Sequence, residues 1–383
     1  MIARALAGRD ILCFANDWDG DPLSKKHLMR RFARHNRVLW IESLGNRRPH
    51  ADVRDARRVL TKLRRFTHGL RRVEPNLWVL TPVALPLYGS AWAARLNALA
   101  LRATIRAAMW RLGFRRPIAY SFVPASAWVA GRLGETRVIY HCVDEYGAFA
   151  GAGADIAALE DELLRRADLT IVCSQPLLEK KRGRSARTVL VRHGVDHAHF
   201  ARALDPSTAV PPELGRLPRP VIGFHGLVAE WIDLSLLRRV AEAFPSGSLV
   251  LLGEWRVPPG PLAGMPNVHI FGRRPYEELP AWCRGFDVAL LPFTIDELTV
   301  HASPLKLRED LAAGLPVVAT AIPEARILPG VRVADDAEGF VRAVREALAD
   351  RPGPRRERSE AVAGESWDRA VERIAGLVAS LDP

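Results

Sequence analysis

The chain has 383 residues, 48% of them hydrophobic and 26% charged, with a formal net charge of +12. That length allows two domains of ordinary size, each with a full core, and the composition is that of an ordinary globular protein. No apolar run reaches the roughly 20 residues needed to cross a bilayer, and residues 1–10 lack the apolar stretch of a secretory signal, so a cytoplasmic location is expected.

The charge is uneven along the chain. Residues 1–120 hold 24 Lys and Arg against 8 Asp and Glu, a net of +16, while the remainder, 31 against 35, is −4. A basic first third on a slightly acidic protein points to an anionic partner met by one domain: nucleic acid, a membrane surface or a phosphorylated lipid. Cys13, Cys142, Cys173 and Cys283 lie far apart in apolar runs without CxxC spacing and read as small buried core residues.

Asp10-Ile-Leu-Cys-Phe-Ala15 reads as a strand, residues 16–22 as a loop, residues 24–36 as an amphipathic helix and Arg37-Val-Leu-Trp-Ile-Glu42 as a second strand. This alternation predicts a parallel sheet with crossover helices, and in such sheets ligands bind at the carboxyl ends of the strands. The loop with Asp17, Asp19 and Asp21 is therefore a site candidate. Asp17-Trp-Asp19 matches a metal-binding DxD pair in form, but aspartates are common in loops and caps. No metal is expected there, and Asp19 is the candidate for holding an acceptor.

Residues 52–72 are dense in arginine, and residues 90–116 repeat the theme: Trp92, Leu96, Leu99, Ile105, Met109 and Trp110 interleave with Arg95, Arg102, Arg106, Arg111, Arg115 and Arg116. Basic amphipathic helices bearing tryptophan suit a membrane interface; a core helix with a solvated basic face has the same pattern. Val138-Ile-Tyr-His-Cys-Val143 is the next clear strand, with Asp144 just past its carboxyl end. An aspartate so placed can take a proton from an acceptor hydroxyl, or it can cap a turn. A helix end plus strand at 167–174 and a last strand at 188–196 complete this half, and residues 201–219, with four prolines and little apolar periodicity, read as a linker.

A second α/β unit follows, with a strand and glycine turn over 220–226 and strands at 248–253, 268–272, 288–292 and 317–319. Its most informative stretch runs from His301 to Thr320. Ser303 and Pro304 suit a helix cap and first turn, and Gly314 followed by Pro316 suits a helix stop. Lys306 in the first turn of that helix makes an anion site. Glu309 lies one turn on. A phosphate near Lys306 and a hydroxylated ring near Glu309 together fit a nucleotide-bound sugar.

Several separated segments resemble one family, the GT-B fold glycosyltransferases, and within it the GT4-like group. They are His193-Gly-Val-Asp-His-Ala-His-Phe200, Leu251-Leu-Gly-Glu254 with Asn267-Val-His-Ile-Phe-Gly-Arg273, Pro304-Leu-Lys-Leu-Arg-Glu-Asp-Leu-Ala-Ala-Gly-Leu-Pro-Val-Val-Ala-Thr320, and Ser366-Trp-Asp-Arg-Ala-Val371. The resemblance implies two Rossmann-like doubly wound domains facing a cleft. It implies an acceptor domain over 1–200, a linker at 201–219, a nucleotide-sugar domain over 220–365 and a C-terminal helix over 366–383 that returns to the first domain. It makes Lys306 a diphosphate contact and Glu309 the ribose-binding carboxylate, lets backbone at Gly226 approach the phosphates, and puts Arg273 and Arg274 beside the base, with Ser303 in the donor loop. His301 stands eight residues before Glu309, where the group usually has a second carboxylate. The Arg and Lys expected after the first strand of the nucleotide domain are absent. Tyr140-His-Cys-Val-Asp144 is similar to the segment carrying the proposed base of xanthan-type glucuronosyltransferases, which makes Asp144, or else Asp19, the candidate base.

The expectation is a metal-independent glycosyltransferase without a cofactor, using a UDP or GDP sugar as co-substrate. The expected acceptor is a polyprenyl-linked or glycan precursor of a surface polysaccharide, met at the cytoplasmic face of an anionic membrane. A soluble small-molecule acceptor is the alternative. A non-catalytic or nucleic-acid-binding protein is a further one, although no helix-turn-helix, finger or RNP-like motif is visible and no nucleic-acid partner is expected.

Overall fold

The structure, a computed structural model, describes residues 6–42, 69–82, 91–152 and 154–381. The chain divides into two compact units: residues 1–192 with 370–383, and residues 193–369. Most of the arginine-dense segment 52–72 lies outside the described residues, as do the side chains of Trp92 and Arg95.

In the first unit, β1 (Asp10–Ala15), β2 (Arg37–Glu42), β4 (Leu77–Leu80), β5 (Ile118–Ser121), β6 (Arg137–Cys142), β7 (Leu169–Val172) and β8 (Thr188–Leu190) are parallel, with β3 (Leu70–Glu74) antiparallel at one edge. The order is β3-β4-β2-β1-β5-β6-β7-β8, so the winding reverses between β1 and β5. All six residues of β1 are buried, as its unbroken apolar run requires when both faces of a parallel sheet are covered. Strand β3 replaces the helical reading of residues 70–72. Pro75 and Asn76, the latter at φ 59°, make a two-residue turn that folds β3 back on β4, and the exposed Arg72 suits a sheet edge.

The second unit is a six-stranded parallel sheet in the order β11-β10-β9-β12-β13-β14, comprising β9 (Val221–His225), β10 (Ser248–Leu252), β11 (Val268–Phe271), β12 (Val288–Leu291), β13 (Val317–Thr320) and β14 (Val331–Ala334). Its winding reverses between β9 and β12, and ligands of doubly wound sheets bind outside the carboxyl ends of strands at such a point. Residues 193–219 belong to this unit, not to the end of the first and a linker. Phe200, Ala203 and Leu214 are buried in its core, and a Cβ on Gly285 would overlap Leu214. Pro211 and Pro212 open the short helix Pro212–Gly215 instead of marking free chain. Residues 370–383, most of the helix Trp367–Ala379, fall in the first unit, where Arg137 Nη2 donates to the Leu381 carbonyl at 2.7 Å.

Candidate active site

The second unit builds its site where β9 ends. Gly226 has φ 131°, and a Cβ there would overlap Cε of Lys306 and lie 2.5 Å from Nζ, so the lysine is laid across the bare α carbon. Gly253 at the end of β10, φ 149°, makes room in turn for the Gly226 carbonyl. Lys306 rises from the helix Leu305–Ala312, which Gly314 at φ 82° closes. Its ammonium has no hydrogen bond or ion pair among the described residues. Neither has the carboxylate of Glu309, one turn on; burial pushes its pKa up, against the opposing charges of His225 and Lys306. A cation, a carboxylate and two glycine turns at a strand-order reversal have the chemistry that a phosphate and a polyol require.

The other residues expected at the donor make contacts of their own. The helix N-cap is Pro304, with no side-chain cap; the hydroxyl of Ser303 instead donates to the buried Glu324 at 3.3 Å, and its carbonyl accepts from His193 Nδ1 at 2.9 Å. Glu324 also faces the fully buried Arg308, whose Nε donates to Glu365 at 2.6 Å. His301 closes the short helix Glu297–His301, where its Nδ1 lies 2.6 Å from the Glu297 carbonyl. Arg273 and Arg274 follow the edge strand β11, two strands away from β9. Arg274 is held by Glu213 at 3.3 Å and by the ring of Trp282, 5.1 Å from its guanidinium, while Arg273 is exposed. The sequence reading passed over His225 and Asp310. His225 Nε2 lies 3.0 Å from Asp310 Oδ1, and both are buried beside Cys283. The only sequence signal for this pair is that each residue adjoins a predicted site residue, Gly226 and Glu309.

In the first unit Asp144 lies just beyond β6, half-buried, and its carboxylate has no hydrogen-bond partner among the described residues. Burial raises its pKa from 3.8 to about 6, although the charge of Lys25 pulls the other way. Lys25 is itself buried in the helix Ser24–Phe32, with Nζ 3.4 Å from Asn16 Oδ1. A buried network fixes the loop that carries Asp144. Lys181 Nζ lies 2.9 Å from Glu145 and 2.8 Å from Glu160, and Glu160 also accepts from Tyr140 at 2.8 Å. A carboxyl poised near pH 6 without a competing donor suits general base work. Asp19 is differently placed: exposed, and gripped through both oxygens by Arg71 Nη2 at 2.9 and 3.0 Å. All four cysteines are free and buried, as expected.

Paired Rossmann-like units of this kind define the GT-B fold, and the chain has it. Residues 214–350 match the family described as "Glycosyl transferases group 1". TuaH of Bacillus subtilis (strain 168), named as a glycosyltransferase of teichuronic acid biosynthesis, is 28% identical over 207 residues, which are 49% of this chain and 51% of TuaH. The match thus spans about half of each. Among solved structures, sucrose-phosphate synthase from Thermosynechococcus elongatus superposes with a TM-score of 0.70 at 16% identity, over 97% of this chain and 99% of that one. Anabaena HepE in complex with UDP-glucose gives 0.60 at 14% identity, over 97% and 98%. The fold is thus that of the GT-B proteins, and the segment that matches the family lies wholly within the second unit.

Proposed function

We propose that the protein transfers a sugar from a nucleoside-diphosphate sugar, UDP being the first nucleotide to test, to a hydroxyl of a lipid-linked or surface-polysaccharide precursor. The observation that carries the reading is Lys306 laid over Gly226 with the unpartnered Glu309 one turn away. In the reaction the acceptor O–H gives its proton to Asp144 as the oxygen attacks the anomeric carbon. The bond from that carbon to phosphate breaks, its electron pair leaves with the diphosphate, and Lys306 holds the charge that develops. Glu309 accepts from the ribose hydroxyls. Direct displacement of this kind inverts the anomeric centre, which the proton coupling of the product reads out.

The test is a thermal-shift screen against UDP, GDP, dTDP and ADP sugars, in which a donor at 100 times its Kd adds about 2.7 kcal/mol to stability. The donor found is then carried into turnover assays, where Lys306→Ala and Glu309→Ala should each fail. A screen in which no nucleotide sugar raises the melting temperature, or two variants with wild-type turnover, would overturn the assignment.

The acceptor reading rests on TuaH's name and on the helix Ala91–Leu112, which carries no acidic residue. Ile105 and Met109 are buried, whereas Leu99 and Trp110 are 57% and 84% exposed, next to exposed Arg106 and Arg111. An apolar ridge flanked by arginines suits the interface of an anionic bilayer, where such an acceptor would be held.

A further inference from the structure

The pair His225 and Asp310 has no role in the reading above, yet it stands at the same strand end. Lys306 and Asp310 are four apart on one helix and so share a face. Lys306 meets Gly226, and Asp310 meets the residue before it. The ring of His225 is thereby fixed at Nε2, which donates to Asp310. Nδ1 has no hydrogen-bond partner among the described residues and is not one of the side-chain nitrogens sealed from solvent. We propose that His225 is a second cationic contact for the donor diphosphate: Asp310 orients the imidazolium, and Nδ1–H donates to a phosphate oxygen beside the Lys306 ammonium. The inference rests on the nucleotide-sugar reading of this site.

Four groups face the imidazole: Asp310, Glu309 and Lys306 from the helix Leu305–Ala312, and Cys283 from the helix Leu279–Gly285. Burial disfavours the imidazolium. The charge and hydrogen bond of Asp310, with the charge of Glu309, outweigh burial and the repulsion of Lys306, so the net direction is upward from 6.5. Burial pushes the thiol of Cys283 well up, so it adds no charge to the cluster near neutral pH. A carboxylate that holds a histidine in its protonated form makes a cation from a residue otherwise neutral near pH 7. It also fixes the ring's orientation, leaving the second N–H as a charge-assisted donor.

The experiment follows UDP-glucose between pH 5.5 and 8, where neither its phosphates nor its uracil N3–H titrates, so that a change in affinity belongs to the protein. Calorimetric titration of the wild type should show binding weakening about tenfold once His225 loses its proton, one pKa unit of linkage. His225→Gln should bind about tenfold more weakly at low pH and lose that titration. Asp310→Asn should keep low-pH binding but move the midpoint to lower pH. The His225 ring signal, assigned by its loss in His225→Gln, should titrate at higher pH when UDP-glucose is bound. A ring that titrates at the same pH with and without ligand, or a His225→Gln profile that follows the wild type, would show a buried histidine that only packs. A wild type that binds no UDP-glucose while another nucleotide sugar raises its melting temperature moves the same titration to that sugar. Binding of no nucleotide sugar at all removes the donor reading along with this one.

Discussion

Gly226→Ala separates the two demands placed on the donor turn. The added methyl overlaps Lys306 Cε, and φ of 131° is a conformation that side chains other than glycine's rarely adopt. The lysine can clear the methyl by swinging away, because the overlap is with the far end of a flexible chain. The backbone cannot escape, and holding alanine there costs roughly 1–3 kcal/mol. At about 2–4 °C per kcal/mol for a unit of this size, the melting temperature should fall by roughly 2–12 °C. Losing the ammonium is a different loss: one preorganised group opposite a developing anion contributes on the order of 3 kcal/mol to the barrier, so turnover should drop about 100-fold or more. The two effects separate in the double variant with Lys306→Ala. Because the two residues touch, its stability loss should fall short of the sum of the two changes, and its turnover should be no slower than that of the worse single variant. The assay is nucleotide release with the donor found in the screen, alongside thermal melts. Turnover in Gly226→Ala equal to wild type, or independent multiplication of the two rate losses, would refute the claim that this glycine exists to seat the lysine.

The remaining predictions are shorter. If Asp144 is the base, turnover should fall as pH drops through about 6, where the carboxyl takes up its proton, and Asp144→Asn should be slow at every pH. Because its folded pKa is raised, the charged carboxylate opposes folding above that pH; Asp144→Asn should therefore melt higher than wild type at pH 8, by about 1–3 kcal/mol. An unchanged melting temperature would contradict the burial argument. Lys181→Met leaves the buried Glu145 and Glu160 without their shared cation and should cost about 3–5 kcal/mol, measured by urea denaturation. Sedimentation with phosphatidylserine vesicles at low salt should bring the protein down. Arg106→Ser with Arg111→Ser should remove about 2 kcal/mol of that attraction, and absence of binding by the wild type would sink the membrane part of the proposal.

What the sequence disclosed follows from the range of the interactions involved. β6 and β9 are short, largely apolar runs that stop just before Asp144 and Gly226, so both residues were visible from local pattern. Lys306 and Glu309 were visible because a helix stop at Gly314 fixes the turn they occupy. Pairings over long separations were not. Nothing near Arg274 says that Glu213, 61 residues earlier, will hold it, and nothing near Asp19 announces Arg71. The hydroxyl of Ser303 looked like a cap because the competing acceptor, Glu324, lies on another helix. His225 and Asp310 each satisfy a strand or helix pattern alone, and their chemistry exists only once the two elements meet. β3 was obscured by arginines whose charge masked its β-pattern, until the Pro75-Asn76 turn is weighed.

The division of the chain has a consequence for synthesis. The second unit is one continuous segment, whereas the first includes residues 370–383, with Arg137 bonded to the Leu381 carbonyl. On a ribosome the usual order, in which the amino-terminal domain is finished first, is therefore unavailable. The first unit waits through residues 193–369 for its last helix, on the order of 10–35 s at ordinary elongation rates. During that interval the surface covered by the late helix stands open, and the later-made unit is the one that can be native first.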